Sequence, residues 1–256
     1  MFSRTCIGAL LALAALQSCS VKEDRGECPC LLTFDFSASS PREGMAWHVL
    51  PLAHAPMSGS FEEADLSGGY VLEVPRDSVK VVVECGTDGT YLPLTGLRVN
   101  EGDEFPRLYL SCHDLDTRCE CACDTVLLHR EHAVLHVYFR GALADGETVE
   151  VRGNVCGCEV DGTPVPGPYV VRLDPDPRGL ASVCLPRQTD GSLEMAIYDR
   201  GSLVRVLRIG EYIVESGYDW SAEDLEDIGL EIDYSLSEIR LSSNMWKRTL
   251  TFTIVV

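Results

Sequence analysis

Apolar residues recur at every second position along this chain, in many short runs, and that period limits the fold more than any other feature. Leu32, Phe34 and Phe36 alternate with Thr33 and Asp35, and the pattern returns in Tyr70-Leu72-Val74, Val79-Val81-Val83, Leu108-Leu110, Leu135-Val137-Phe139 and Val149-Val151. Val170 to Leu173, Leu193-Met195-Ile197, Leu203 to Ile209, Leu230-Ile232-Tyr234, Ile239-Leu241 and Leu250-Phe252-Ile254 follow. Successive side chains of a strand point to opposite faces, so period two predicts half-buried strands. Turn pairs punctuate the runs: Asp88-Gly89, Asp145-Gly146, Asp161-Gly162 and Asp190-Gly191. Only Ser221 to Ile228 has a helical pattern, with Ser221 as N-cap and Asp224 at the third helical position. About fourteen strands fit all-β antiparallel sandwiches, not the strand–helix alternation of a parallel sheet.

The chain has 256 residues, enough for one large domain or two small ones. We expect an N-terminal sandwich over 30–123 and a C-terminal one over 124–256. The junction is expected in the polar, cysteine-rich stretch from Ser111 to Asp124. No internal sequence repeat is visible.

Residues 1–18 form an expected export signal. Met1 to Arg4 is a short basic start, and Ile7 to Leu16 is an apolar run far below the about 20 residues a membrane-spanning helix needs. Leu16-Gln17-Ser18-Cys19 resembles a bacterial lipobox, which makes Cys19 the expected site of covalent lipid and the first residue of the mature chain. Residues 19–29 then serve as a lipidated tether. Within it, Lys22-Glu23-Asp24 resembles the signal that sends some lipoproteins to the outer face of the outer membrane. Two or more acyl chains hold a protein on a bilayer stably, where one chain is marginal.

Forty acidic residues stand against 21 basic ones, a net charge of −19, and a field of that sign repels phosphate backbones. Nucleic acid is therefore not an expected partner. Beyond Cys6 and Cys19 ten cysteines remain: Cys28, Cys30, Cys85, Cys112, Cys119, Cys121, Cys123, Cys156, Cys158 and Cys184. Their Cys-x-Cys spacings suit neither half of a tetrahedral zinc site. Residues two apart on a strand lie too far apart to bridge each other easily, so each cysteine is a candidate for a disulfide to another strand. An even count in an exported chain favours that state. His129, His132 and His136 match neither His-Glu-x-x-His nor His-x-x-Glu-His and sit at a strand entry, without the helix that brings two histidines of a zinc motif onto one face. No nucleophile elbow, phosphate-binding glycine loop or divided carboxylate pair is present, so no catalytic residue and no cofactor beyond the lipid is expected.

Several stretches resemble the fimbrillin-associated anchor lipoproteins, the FimB-like anchor and accessory subunits of type V fimbriae. At the mature start these are Cys19 to Arg25, Cys28-Pro29-Cys30-Leu31 and Thr33 to Phe36. Asp124-Thr125 to His129 and Ala133 to Val137 follow at the second-domain entry. Near the end come Asp224 to Ile228, Glu231 to Tyr234, Glu238 to Leu241 and Trp246. The resemblance implies two transthyretin-like sandwiches, fimbrial subunits as partners, and a role in attaching a fimbrium to the outer membrane and limiting its length. The cysteine cluster at 112–123 departs from the family pattern. A glycan- or protein-binding surface lipoprotein of the same architecture is the alternative. Trp246 is read as a packing aromatic, and Glu231 and Asp233 as outward strand positions. The closing run, Thr249 to Val256, places Leu250, Phe252, Ile254 and Val256 on one face, and carries no side-chain charge after Arg248. It is a candidate for pairing with a neighbouring subunit as well as within its own sheet.

Overall fold

The computed structural model describes residues 28–40, 42–89, 91, 93–140, 146–233, 238–243 and 250–253. Cys19, the Lys22-Glu23-Asp24 signal, Trp246 and the ends of the closing run lie outside them. Four sheets build two sandwiches. In the first, β4 (Tyr70–Val74), β1 (Cys30–Asp35) and β8 (Cys121–Thr125) lie side by side in that order. They face β3 (Met57–Ser60), β2 (Ala46–Pro51), β5 (Ser78–Cys85), β7 (Tyr109–Asp116) and β9 (His129–Arg130). Leu32 and Phe34 of β1 and Val79, Val81 and Val83 of β5 meet Trp47, Val49 and Phe61 between the layers, all buried. Removing one such side chain from water stabilises by about 1.5–3 kcal/mol, and the alternation in the sequence is the record of that burial.

The second sandwich sets β13 (Leu180–Pro186), β10 (His132–Arg140), β16 (Ile228–Asp233), β17 (Glu238–Ser243) and β18 (Leu250–Thr253) against a second sheet. That sheet runs β12 (Pro164–Leu173), β11 (Glu147–Cys158), β14 (Glu194–Asp199) and β15 (Ser202–Leu207), with β6 (Leu97–Arg98) also paired to β11. Leu135, Val137 and Phe139 pack against Val149, Val151, Tyr169, Met195 and Ile197.

The two sandwiches share one connection plan. Counted within each unit, leaving aside β6 and β9, both sheets read 4-1-7 and 3-2-5-6. The first and seventh strands run parallel in both, β1 with β8 and β10 with β16, while every other pairing is antiparallel. The repetition is topological and left no trace in residue identity. The second unit carries one addition: the β17–β18 hairpin extends the sheet past β16, where the first unit stops at β8.

Three local expectations are corrected. Ser221 to Ile228 is not a helix but a run of turns leading into β16. Its helix-start residues are engaged elsewhere: Ser221 bonds through its N–H and hydroxyl to Asp219, and Asp224 accepts from the Arg130 N–H at 2.7 Å. Among the described residues the helices are instead α1 (Glu63–Gly68), opened by reciprocal Glu62–Asp65 bonds, and α2 (Ile209–Glu215). Leu203 to Ile209 therefore splits at Leu207, because Ile209 and Ile213, one helical turn apart, are both buried. The cysteine-rich stretch from Ser111 to Asp124 is not a linker either; it forms most of β7 and β8, inside the first sandwich.

The chain between β5 and β7 leaves the first unit and packs on the second, although it precedes residue 124. Tyr91, Leu97, Phe105 and Leu108 belong to the second core, and Val82 and Leu110 reach it from the outer face of the first. Backbone contact here is close enough to exclude side chains. A Cβ on Gly157 would lie 2.0 Å from the Leu97 carbonyl oxygen, and one on Gly96, at φ +70°, 2.1 Å from that of Cys158. The Cys184 N–H donates to Glu104 at 2.7 Å and the Gly102 N–H to Val170 at 2.7 Å, completing a strap over β12 and β13.

Candidate functional site

Two places gather chemistry: the end of the first sandwich where the tether enters, and the seam between the sandwiches. At the tether end β1 begins at Cys30, which is fully buried, two residues after the exposed Cys28. The parallel ladder sets Leu31 opposite Cys121, and the Leu31 N–H donates to the Glu120 carbonyl at 2.9 Å. This brings the β7–β8 turn over the start of β1. Cys119 lies in that turn, donates to the Cys121 carbonyl at 3.1 Å and sits close enough to Cys30 to help raise its thiol. Cys121 and Cys123 stand exposed on the outer face of the sheet beside Leu31 and Thr33. Burial above all pushes the Cys30 thiol up to about 11.

The other five cysteines are dispersed. Cys85 closes β5 with its sulfur 3.2 Å from the Glu43 carbonyl, and Cys184 of β13 contacts the Pro106 carbonyl at 3.6 Å. Cys112, Cys156 and Cys158 lie on β7 and β11. Burial raises the thiols of Cys158 and Cys184 to about 12. All ten described cysteines carry free thiols in this structure. Among the described residues no group of three or more His, Cys, Asp and Glu side chains is arranged to hold a metal ion.

At the seam, a shallow cleft of about 330 Å³ is lined by His129, Glu131, Asp161, Thr163, Arg187 and Glu223. Its centre is an ion pair, Arg187 Nε to Glu131 at 2.9 Å, with both side chains largely buried. Arg187 also donates to the carbonyls of Trp220, Ala222 and Glu223, so the guanidinium is occupied in holding that loop against the second sandwich. Next to it the Arg130 guanidinium meets Asp227, whose carboxylate also accepts from the Val134 N–H at 3.2 Å. Asp224 to Ile228 thus works by docking: its carboxylates hold β9 and β10, and Leu225 is buried.

The three histidines of this region do not converge. His129 faces Glu223 and Asp224, His132 is buried, and His136 lies on the outer sheet face with Nδ1 2.7 Å from the Ser182 hydroxyl. Ser182, His136 and Asp227 form a row, but the His136–Asp227 distance is 4.0 Å and Asp227 is engaged with Arg130.

His132 gives the seam a pH dependence. Nδ1 donates to the Leu108 carbonyl at 3.0 Å and Nε2 accepts from Arg130 Nε at 3.1 Å, an arrangement only the neutral ring satisfies. Burial, with Arg130 and Arg107 adding to it, holds its pKa down to about 4. The unfolded chain takes up this proton near pH 6.5 and the folded one does not, so stability is lost as pH falls from about 6.5 to about 4, by about 3 kcal/mol. Glu84 and Asp124, whose carboxyls burial pushes up, act in the opposite sense as pH falls. A urea titration comparing the parent with His132→Gln isolates the histidine: the parent should lose stability relative to the variant across that window. Parallel curves would show that His132 does not carry it.

With this geometry in hand, the same two-sandwich fold is found in solved structures of low sequence identity. The model aligns with a candidate polysaccharide-binding protein of Bacteroides thetaiotaomicron at TM-score 0.61 and 13% identity, covering 88% of this chain and 98% of that one. A candidate adhesin of Bacteroides ovatus aligns at 0.58 and 16% identity, covering 90% and 97%. The fimbrial anchor protein Mfa2 of Porphyromonas gingivalis aligns at 0.57 and 10% identity, covering 86% and 98%. No family model matches the sequence, and no curated protein matches it either. No helix among the described residues is long and apolar enough to cross a membrane.

Proposed function

We propose that this protein is a surface-exposed outer-membrane lipoprotein that serves as an anchor or accessory subunit of a fimbrium, holding it to the membrane and limiting its length. The observation that carries this reading is the agreement of the whole two-sandwich fold with that of Mfa2, nearly end to end in both chains. The lipobox-like Cys19 and the signal Lys22-Glu23-Asp24 lead directly into β1, so a lipid at Cys19 attaches the membrane to the first strand of the fold. The work assigned to the protein is mechanical and needs no cofactor.

Edge strands supply docking positions. Among the described strands β18 ends its sheet, paired to β17 through Leu250 to Thr253. β15 ends the opposing sheet and leaves Leu203, Val204 and Val206 exposed. An uncovered edge offers unpaired N–H and C=O groups to another chain. A photo-crosslinking residue placed at Thr251 or Thr253 should capture a fimbrial subunit on intact cells. Absence of any captured subunit in assembled fimbriae, with these amides already protected from exchange in the isolated protein, would make β18 a purely internal strand.

A glycan-binding role is the second reading, favoured by the described role of the Bacteroides thetaiotaomicron protein. Glycan platforms present aromatic faces, and among the described residues Tyr138 is the one aromatic of the exposed large hydrophobic side chains. Glycan-array binding that is lost in Tyr138→Ala would favour this reading over the anchor.

A further inference from the structure

We propose that Cys30 and Cys119 form a disulfide in the exported protein, clamping the first strand to the β7–β8 turn at the point where the pull of the tether enters the fold. The mechanical consequence rests on the anchor reading; the bond itself requires only an oxidising compartment. Four observations converge on this pair. The Cys119 side chain lies close enough to Cys30 to help raise its thiol. The parallel ladder aligns Leu31 with Cys121, and the Leu31 N–H bond to Glu120 holds the turn in place. Cys119 is exposed, where an oxidant can reach it, while Cys30 is buried at the start of β1. Cys121 and Cys123 share the outer face at a spacing of nearly 7 Å, too far to bridge each other without backbone movement.

The oxidation balances as two successive exchanges with the disulfide of a cell-envelope thiol oxidoreductase. Cys119, as thiolate, attacks one sulfur of that disulfide, forming a mixed disulfide and releasing one thiol. Cys30 then gives up its proton and displaces the second thiol, closing Cys30–Cys119. Two electrons and two protons pass from the cysteines to the oxidant.

The load path explains why a bridge belongs here. β1 is the central strand of its sheet, bonded to β4 on one side and β8 on the other. Tension on the tether pulls first on Cys30 and draws β1 out of both ladders. With the bridge closed, force crosses the sulfur–sulfur bond to residue 119 and bypasses the strands between. Those roughly 90 residues, at about 3.4 Å each, amount to about 300 Å of chain that the pull can no longer extract.

The test uses the full chain exported to an oxidising envelope, alkylated before lysis and cleaved after arginine without reduction. A joined fragment of residues 26–42 and 119–130 is expected. It should persist in the triple variant Cys28→Ser, Cys121→Ser, Cys123→Ser, and vanish in Cys30→Ser and in Cys119→Ser. Alkylated Cys30 and Cys119 in the triple variant would overturn the proposal, as would linkage that depends on Cys28, Cys121 or Cys123. In single-molecule pulling from the tether, reduction should lengthen the unfolded chain by about 300 Å. Equal lengths before and after reduction would overturn the clamp. A bond found in a protein that captures no fimbrial subunit would refute the anchor reading and leave the disulfide standing.

Discussion

Cells carrying Cys19→Ala are expected to keep this protein as an unprocessed precursor or to release it, with none on the outer membrane. The effect is all or nothing because the lipid is the proposed anchor: each buried methylene contributes about 0.8 kcal/mol, so removing two or three acyl chains removes the attachment itself. Metabolic labelling with a fatty acid should mark the parent and leave the variant unlabelled. Label on the variant would place the lipid elsewhere. Replacing Lys22, Glu23 and Asp24 with alanine should leave the label intact and abolish protease accessibility on whole cells. Unchanged accessibility would remove the export role of those three residues. The two variants separate attachment from display, which a single deletion of the tether cannot.

Arg187→Ala should give one of the largest losses of stability available from a single side chain, about 3–5 kcal/mol. The guanidinium is 14% and its partner Glu131 12% exposed, so truncation leaves a nearly buried carboxylate without its counter-ion. It also strands the carbonyls of Trp220 and Ala222, which Arg187 holds at 2.7 and 2.6 Å. Arg187→Lys keeps the charge but cannot reproduce the fork, and should fall between the two. Glu131→Gln placed on Arg187→Ala should recover part of the loss by removing the unpaired charge. Urea unfolding reads all four proteins; a loss below about 1 kcal/mol for Arg187→Ala would mean that water screens the pair as it does on a surface.

The strands whose burial alternates strictly were legible one residue at a time. Leu135, Val137 and Phe139 face the core and His136 and Tyr138 face out, as their spacing alone requires. The all-β class follows from summing such runs. Where the local pattern misled, a distant partner had claimed the residues. Asp224 reads as a helix-start residue, yet its carboxylate is bonded to the Arg130 N–H from β9. Ser111 to Asp124 reads as the polar junction, yet Ser111 is buried and Asp124 accepts from His113 at 2.7 Å.

Period is a property of neighbouring residues, and a strand displays it whatever it pairs with. Pairing is different, because every strand edge offers the same N–H and C=O groups. The choice among edges is made by packing both sandwiches at once. That is why the shared 4-1-7 and 3-2-5-6 plan, the strap from Leu97 to Leu108 and the meeting of Cys30 with Cys119 have no signature in any short stretch of sequence. Each joins segments far apart along the chain, and the burial and backbone bonding that favour such contacts exist only after the whole fold has closed.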